Sequence, residues 1–101
     1  MLKVVVNGAF GRMGQISVAS IIAADDMQLV AGLGRSDDLA LTLAESDVDV
    51  VVDFTLPDCV YENAITMIDH KVPFVIGTSG LTEEQINEIS DRCSSSGAVG
   101  L

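Results

Sequence analysis

The chain has no tryptophan, one tyrosine and three phenylalanines, too few aromatic faces to stack the bases of a single-stranded nucleic acid. Positive charge is equally scarce. Five Lys and Arg against fifteen Asp and Glu leave a net charge of −10, which opposes binding to a nucleic-acid backbone and to an anionic membrane surface. Cysteine is limited to Cys59 and Cys93 and histidine to His70. With no Cys-x-x-Cys and no paired histidines, neither a metal centre nor dithiol redox chemistry is indicated, and both cysteines read as free thiols. No apolar run approaches the ~20 residues of a membrane span. The opening Leu2 to Val6 is shorter than the ~7 to 15 apolar residues of a signal-peptide core, so a cytoplasmic chain is expected. Disorder is excluded in turn by a hydrophobic content of 49%. At 101 residues the chain holds one domain and one core.

What is present in quantity is glycine in the right places. The apolar strand Leu2 to Val6 runs into Gly8-Ala9-Phe10-Gly11-Arg12-Met13-Gly14, and a helix follows. A parallel strand that ends in a tight glycine turn aims the free N–H groups and positive dipole end of the next helix at the crevice, where an anion fits. In this Gly-x-x-Gly-x-x-Gly variant, Gly8 allows the turn, Gly11 lets a phosphate approach the backbone, and Gly14 lets the helix lie close to its strand. Three glycines alone also serve plain packing; the strand before and the helix after favour nucleotide binding.

Further along, Ile16, Ala19 and Ala23 recur at helical spacing and predict a helix over about Gly11 to Ala24 with those residues on the sheet. Met27 to Leu33 reads as a second strand. Ser36 can cap a short helix with Asp37 and Asp38 in its first turn and Leu39, Leu43 and Ala44 on its buried side. Asp49 to Phe54 is a β-branched third strand. Pro57 suits the first turn of a helix that buries Val60, Ala64, Met67 and Ile68. Val72 to Ile76 is a fourth strand, followed by the loop Gly77-Thr78-Ser79-Gly80. Thr82 to Gln85 matches a capping box, so a helix begins at Glu83 and buries Ile86, Ile89 and Cys93. Ser94 to Gly97 ends it, and Ala98 to Leu101 begins a fifth strand. Strands alternating with helices predict an α/β fold: a Rossmann-like, doubly wound parallel sheet of about five strands, helices on both faces, in the order 2-1-3-4-5. Its ligand crevice lies outside the carboxyl ends of strands 1 and 3.

Four loops reach that edge: Gly8 to Gly14, Gly34 to Ser36, Phe54 to Pro57 and Gly77 to Gly80. About twenty residues beyond the last glycine of such a turn, an acid takes a ribose 2′-OH, whereas an arginine accommodates a 2′-phosphate. Here Gly34 and Arg35 stand there, so NADP is accommodated. Asp37 and Asp38 read better as helix-start acids than as ribose ligands. Arg12 is either a phosphate ligand or a solvated surface arginine. Asp53 reads as a turn-capping carboxylate rather than a catalytic one, because no His or Lys lies near it in sequence. His70 and Lys71 read as helix-end cations. Lys3 begins the first strand, away from the carboxyl edge, so no proton donor or nucleophile is evident in the crevice.

Taken together, the glycine turn, Asp53-Phe54-Thr55-Leu56-Pro57 and Val75-Ile76-Gly77-Thr78-Ser79-Gly80 resemble the amino-terminal domain of bacterial dihydrodipicolinate reductase over essentially the whole chain. The ordered set of three is more specific than the first motif alone. The resemblance implies NADPH- or NADH-dependent reduction of 4-hydroxy-tetrahydrodipicolinate on the diaminopimelate route to lysine, by a cytoplasmic homotetramer. It implies that Gly8, Ala9, Phe10, Gly11, Arg12 and Met13 cradle the pyrophosphate and that Arg35, beside Gly34, meets the 2′-phosphate. Phe54 and Thr55 would line the crevice near the nicotinamide ribose, and Gly77, Thr78 and Ser79 would contact the nicotinamide end. Ser79 stands where the family usually has threonine, and Gly34 where an acid is common. The family's catalytic histidine and lysine, its substrate-binding glycine-threonine pair and its tetramer-forming sheet belong to a carboxyl-terminal domain. Residues 1–101 are therefore expected to be a dinucleotide-binding domain from a longer enzyme, inactive alone. A homoserine-dehydrogenase-like nucleotide domain and a stand-alone dinucleotide sensor are the alternatives.

Overall fold

The structure, a computed structural model, describes residues 1–34, 37–77 and 82–96. Strand β1 (Leu2–Asn7), helix α1 (Arg12–Ala23), β2 (Met27–Leu33), α2 (Leu39–Glu45), β3 (Val50–Asp53), α3 (Pro57–Asp69), β4 (Phe74–Ile76) and α4 (Glu83–Ser96) follow in order. All the strand pairs are parallel, and the sheet order is β2-β1-β3-β4. This agrees with the expected order over four strands; the fifth, Ala98 to Leu101, lies outside the described residues.

Why α1 stands on one face and α2 to α4 on the other follows from the crossover rule. The step from β1 to β2 runs leftward and the later steps run rightward, so right-handed connections must use opposite faces. The alternation of β1 records it. Val4 and Val6 pack in a cluster with Ala9 and Ile21, whereas Val5 joins Leu39, Leu43, Val51, Ala64, Met67, Phe74 and Ile89 on the other side. Burying each Val, Leu, Ile, Met or Phe side chain among them contributes about 1.5 to 3 kcal/mol.

The α3 stripe lies as expected, with Val60, Ala64, Met67 and Ile68 all buried. Its end is a Schellman motif: Val72 N–H donates to Met67 O (3.1 Å) and Lys71 N–H to Ile68 O (2.9 Å). Lys71 takes the left-handed position, φ 56°, that glycine usually fills. The capping box of α4 is also present, with Gln85 N–H on Thr82 Oγ1 (3.1 Å) and Thr82 N–H on Gln85 Oε1 (3.0 Å).

Several expected faces are corrected. On α1, Ile16, Ala19 and Ala23 point to solvent, and the sheet side is formed by Gly14 and Ile21 with Val18 half-buried. The close approach at Gly14 fixes the helix rotation and overrides the spacing of the apolar residues. Ala44 and Ile86 are exposed as well. Cap and first turn of α2 differ too: Asp38, not Ser36, is the cap, its side chain accepting from Leu41 N–H at 3.1 Å, and the first turn carries no acid. Ser36 itself and the Cys93 side chain lie outside what is described.

Candidate functional site

β1 ends in a tight turn at Gly8. Gly8 has φ +82°, and a Cβ there would start 2.7 Å from the Phe54 carbonyl carbon; both conditions require glycine. The Gly8 and Ala9 N–H groups donate to Leu33 O at 2.9 and 3.0 Å, which ties the turn to the end of β2. Ala9 is buried in the α1-side core. A Cβ on Gly14 would run into Gly8 O and lie 2.8 Å from Ala9 Cα, so α1 descends directly onto the turn.

Gly11 is different. It is the N-cap of α1 with ordinary extended geometry, φ −75° and ψ 173°, and no side-chain cap bond. A Cβ there would meet only Gly8 O, at 3.8 Å. Packing therefore does not require glycine at position 11, and no side chain caps the first turn of α1. Around them Phe10 and Met13 are 70% and 55% exposed, and Arg12 is exposed. The Phe10 carbonyl accepts from Gln15 Nε2 at 2.8 Å.

The end of β2 closes one side. Gly34 N–H donates to Asp37 Oδ2 at 2.7 Å, so Asp37 holds its own loop. A side chain on Gly34 would begin 2.7 Å from the Phe10 ring. Arg35 lies outside the described residues.

On the other side, β3 ends in Asp53, whose side chain is fully buried. Asp53 Oδ1 accepts from Thr55 N–H (2.8 Å) and Thr55 Oγ1 (2.5 Å), and Oδ2 from Asn7 Nδ2 (3.3 Å). The bond to residue i+2 is an Asx turn, so Asp53 caps the turn as its sequence context suggested. Asn63 Nδ2 of α3 donates to Thr55 Oγ1 at 3.1 Å. Asn7 and Asn63 were not legible as site residues: each is one asparagine, at a strand end and within a helix, with no spacing to mark it. Phe54 and Thr55 are half-buried. A Cβ on Gly77 would strike the Phe54 ring, and Gly77 N–H donates to Asp53 O at 2.8 Å.

Thus Gly8 to Met13, Gly34, Phe54, Thr55 and Gly77 converge at the carboxyl ends of β1, β2, β3 and β4, while Thr78 and Ser79 lie outside the described residues. The remaining candidates sit elsewhere. His70 caps the end of α3, its Nδ1 2.9 Å from Thr66 O, and Cys59 is exposed on α3. Lys3 pairs with Asp47 at 2.7 Å at the opposite sheet edge, and the hydrogen bond and charge of Asp47 raise its pKa. Among the described residues no cluster of His, Cys, Asp and Glu could hold a metal, and no helix is long and apolar enough to cross a membrane.

The family model described as dihydrodipicolinate reductase, N-terminus, matches residues 2–100. A 4-hydroxy-tetrahydrodipicolinate reductase of Legionella pneumophila (strain Paris) is 44% identical over 91 residues, covering 90% of this chain and 37% of the relative. One from Coxiella burnetii (strain Dugway 5J108-111) is 45% identical over 92 residues, covering 91% of this chain and 38% of the relative. The chain thus spans a little over a third of the length of these relatives. A dipicolinate-bound dihydrodipicolinate reductase from Paenisporosarcina sp. TG-14 superposes with TM-score 0.88 at 26% identity, covering 95% of this chain and 44% of that one.

Proposed function

The chain belongs to the dihydrodipicolinate reductase family, matching its amino-terminal model over residues 2–100, and from that membership we propose that it is the NAD(P)H-binding domain of a longer 4-hydroxy-tetrahydrodipicolinate reductase. The observation that carries the proposal is Gly11. It is a glycine that packing does not demand, at the uncapped start of α1, where four strands end.

In this reading the α1 first-turn N–H groups and Arg12 bind the pyrophosphate, with Gly8 and Ala9 fixing the turn through Leu33 O. Phe10 and Gly34 border the adenosine side, where Arg35 takes the 2′-phosphate. Phe54, Thr55 and Gly77, followed by Thr78 and Ser79, orient the nicotinamide end and shield it from water. A bound reduced nicotinamide supplies the hydride. The proton donor and the substrate-binding groups belong to the remainder of the longer enzyme, proposed to be a cytoplasmic homotetramer, because His70 and Lys3 lie away from the crevice. Hydride transfer depends on holding the reactants in register, worth about 7 to 11 kcal/mol of barrier, so this chain alone is expected to bind and not to turn over. Calorimetric titration with NADPH and NADH tests the proposal. Saturable heat with at least one is expected; no heat and no thermal shift with either at millimolar concentration would sink it.

A further inference from the structure

The run Val50-Val51-Val52 is followed, at the last position of β3, by a carboxylate that is fully buried. Another apolar side chain would fill that place without the cost of removing a polar carboxyl group from water. Among the described residues no salt bridge to a basic side chain offsets this cost. Among the described residues, the Asp53 carboxyl group accepts from neutral donors: Asn7 Nδ2, Thr55 N–H and Thr55 Oγ1. They come from two elements, the end of β1 and the loop after β3, and Asn63 of α3 braces Thr55 from a third.

What these bonds fix is Phe54. Its carbonyl lies against Gly8 so closely that position 8 has no room for a Cβ, and its ring lies against Gly77 in the same way. The Phe54 N–H donates to Asn7 O at 2.8 Å. One turn therefore spaces two glycine segments, and one buried carboxylate sets that turn. We propose that Asp53 is a positioning residue for dinucleotide binding: through Asn7 and Thr55 it holds Phe54 between the Gly8 and Gly77 turns, without itself touching the ligand. The proposal rests on the dinucleotide reading above.

The test is an exchange of donor and acceptor. Asp53→Asn keeps the side-chain shape and an acceptor oxygen for Thr55, but places an amide NH₂ against the amide NH₂ of Asn7. Combining it with Asn7→Asp restores one donor facing one acceptor. NADPH titration of the 101-residue chain is run well below the melting point of each variant, so that loss of fold and loss of affinity are read separately. Asp53→Asn is expected to weaken NADPH by about tenfold, the equivalent of one or two hydrogen bonds, and the exchanged pair to regain most of it. An affinity within twofold of the parent despite a lower melting temperature would overturn the proposal, as would two folded variants of which the exchanged pair gives no rescue. If Asp53→Asn does not fold, Thr55→Val removes the hydroxyl links and keeps the N–H. A drop in affinity together with movement of the Gly8 and Gly77 amide resonances in the ligand-free protein supports the proposal, and an unchanged affinity or unmoved resonances overturn it. In the ligand-free protein the Gly8 and Gly77 amide resonances should move in Asp53→Asn, or in Thr55→Val where only that variant folds, and return in the exchanged pair; resonances that stay in place overturn the positioning role. Should the parent bind no dinucleotide, the functional reading fails on that result, while the two resonances still report whether Asp53 sets the turn.

Discussion

Gly11→Ser should make the protein more stable and a poorer dinucleotide binder at once. Position 11 already has the extended φ and ψ of a helix N-cap and no cap bond, and its Cβ would have only a 3.8 Å contact. Serine there can accept from an N–H of the first turn, worth a few tenths of a kcal/mol over glycine. Losing a glycine also restricts the unfolded chain, adding about 0.4 to 1 kcal/mol. The sum, about 0.6 to 1.5 kcal/mol, corresponds to a rise in Tm of roughly 2 to 12 °C for a domain of this size. The same hydroxyl occupies the N–H groups that a pyrophosphate needs. Each charge-assisted bond lost costs about 1.5 to 3 kcal/mol, so affinity should fall roughly 10- to 150-fold. Thermal unfolding and NADPH titration of the same preparation read both effects. A variant destabilised by 1 kcal/mol or more, or one with unchanged affinity, would refute the reasoning: the first because the site is not open, the second because the start of α1 is not the anion site.

Lys71→Gly should stabilise the chain by about 0.5 to 1 kcal/mol in urea unfolding, because the left-handed conformation at the end of α3 costs lysine more than it costs glycine. Ile16→Gln on the outer face of α1 should change stability by less than ~0.5 kcal/mol, whereas Met67→Ala in the core should cost about 2 to 5 kcal/mol. The Tyr61 hydroxyl and, less strongly, Arg92 hold Glu88 below its ordinary pKa of 4.5, so this contribution is complete above pH 4.5 and is lost as pH falls through the folded-state value. Tyr61, raised above 10.0 chiefly by its bond to Glu88, contributes below pH 10 and loses that contribution as pH rises further. Glu88→Gln should therefore flatten both limbs of the stability profile measured by urea unfolding across pH.

The elements that sequence patterning placed well are those where one signal dominates. The α3 stripe, the Thr82 and Gln85 box and the valine run of β3 each state their own period or cap, and the structure repeats them. Where two signals compete, the apolar period misleads. On α1 the Ile16, Ala19 and Ala23 spacing is regular, but the Cβ-free contact of Gly14 with Gly8 and Ala9 turns the other side inward. At α2, Ser36 and Asp38 are both good caps by type, and it is Asp38 whose side chain accepts from Leu41 N–H. The glycine turn was legible because its strand, turn and helix are contiguous. The Asn7, Asp53, Thr55 and Asn63 network was legible at Asp53 and Thr55 but not at Asn7 or Asn63, since its members meet across 46 and 8 residues of sequence that no local pattern connects.

The central claim, that the carboxyl edge of this sheet binds a nicotinamide dinucleotide, is tested most directly by two-dimensional amide spectra of the chain recorded during addition of NADPH. The account predicts saturable shifts concentrated at Phe10 to Gly14, Phe54, Thr55 and Gly77, with Lys3, Asp47 and the end of α3 at Lys71 unmoved. Shifts confined to that opposite edge, or none at millimolar NADPH, would contradict it.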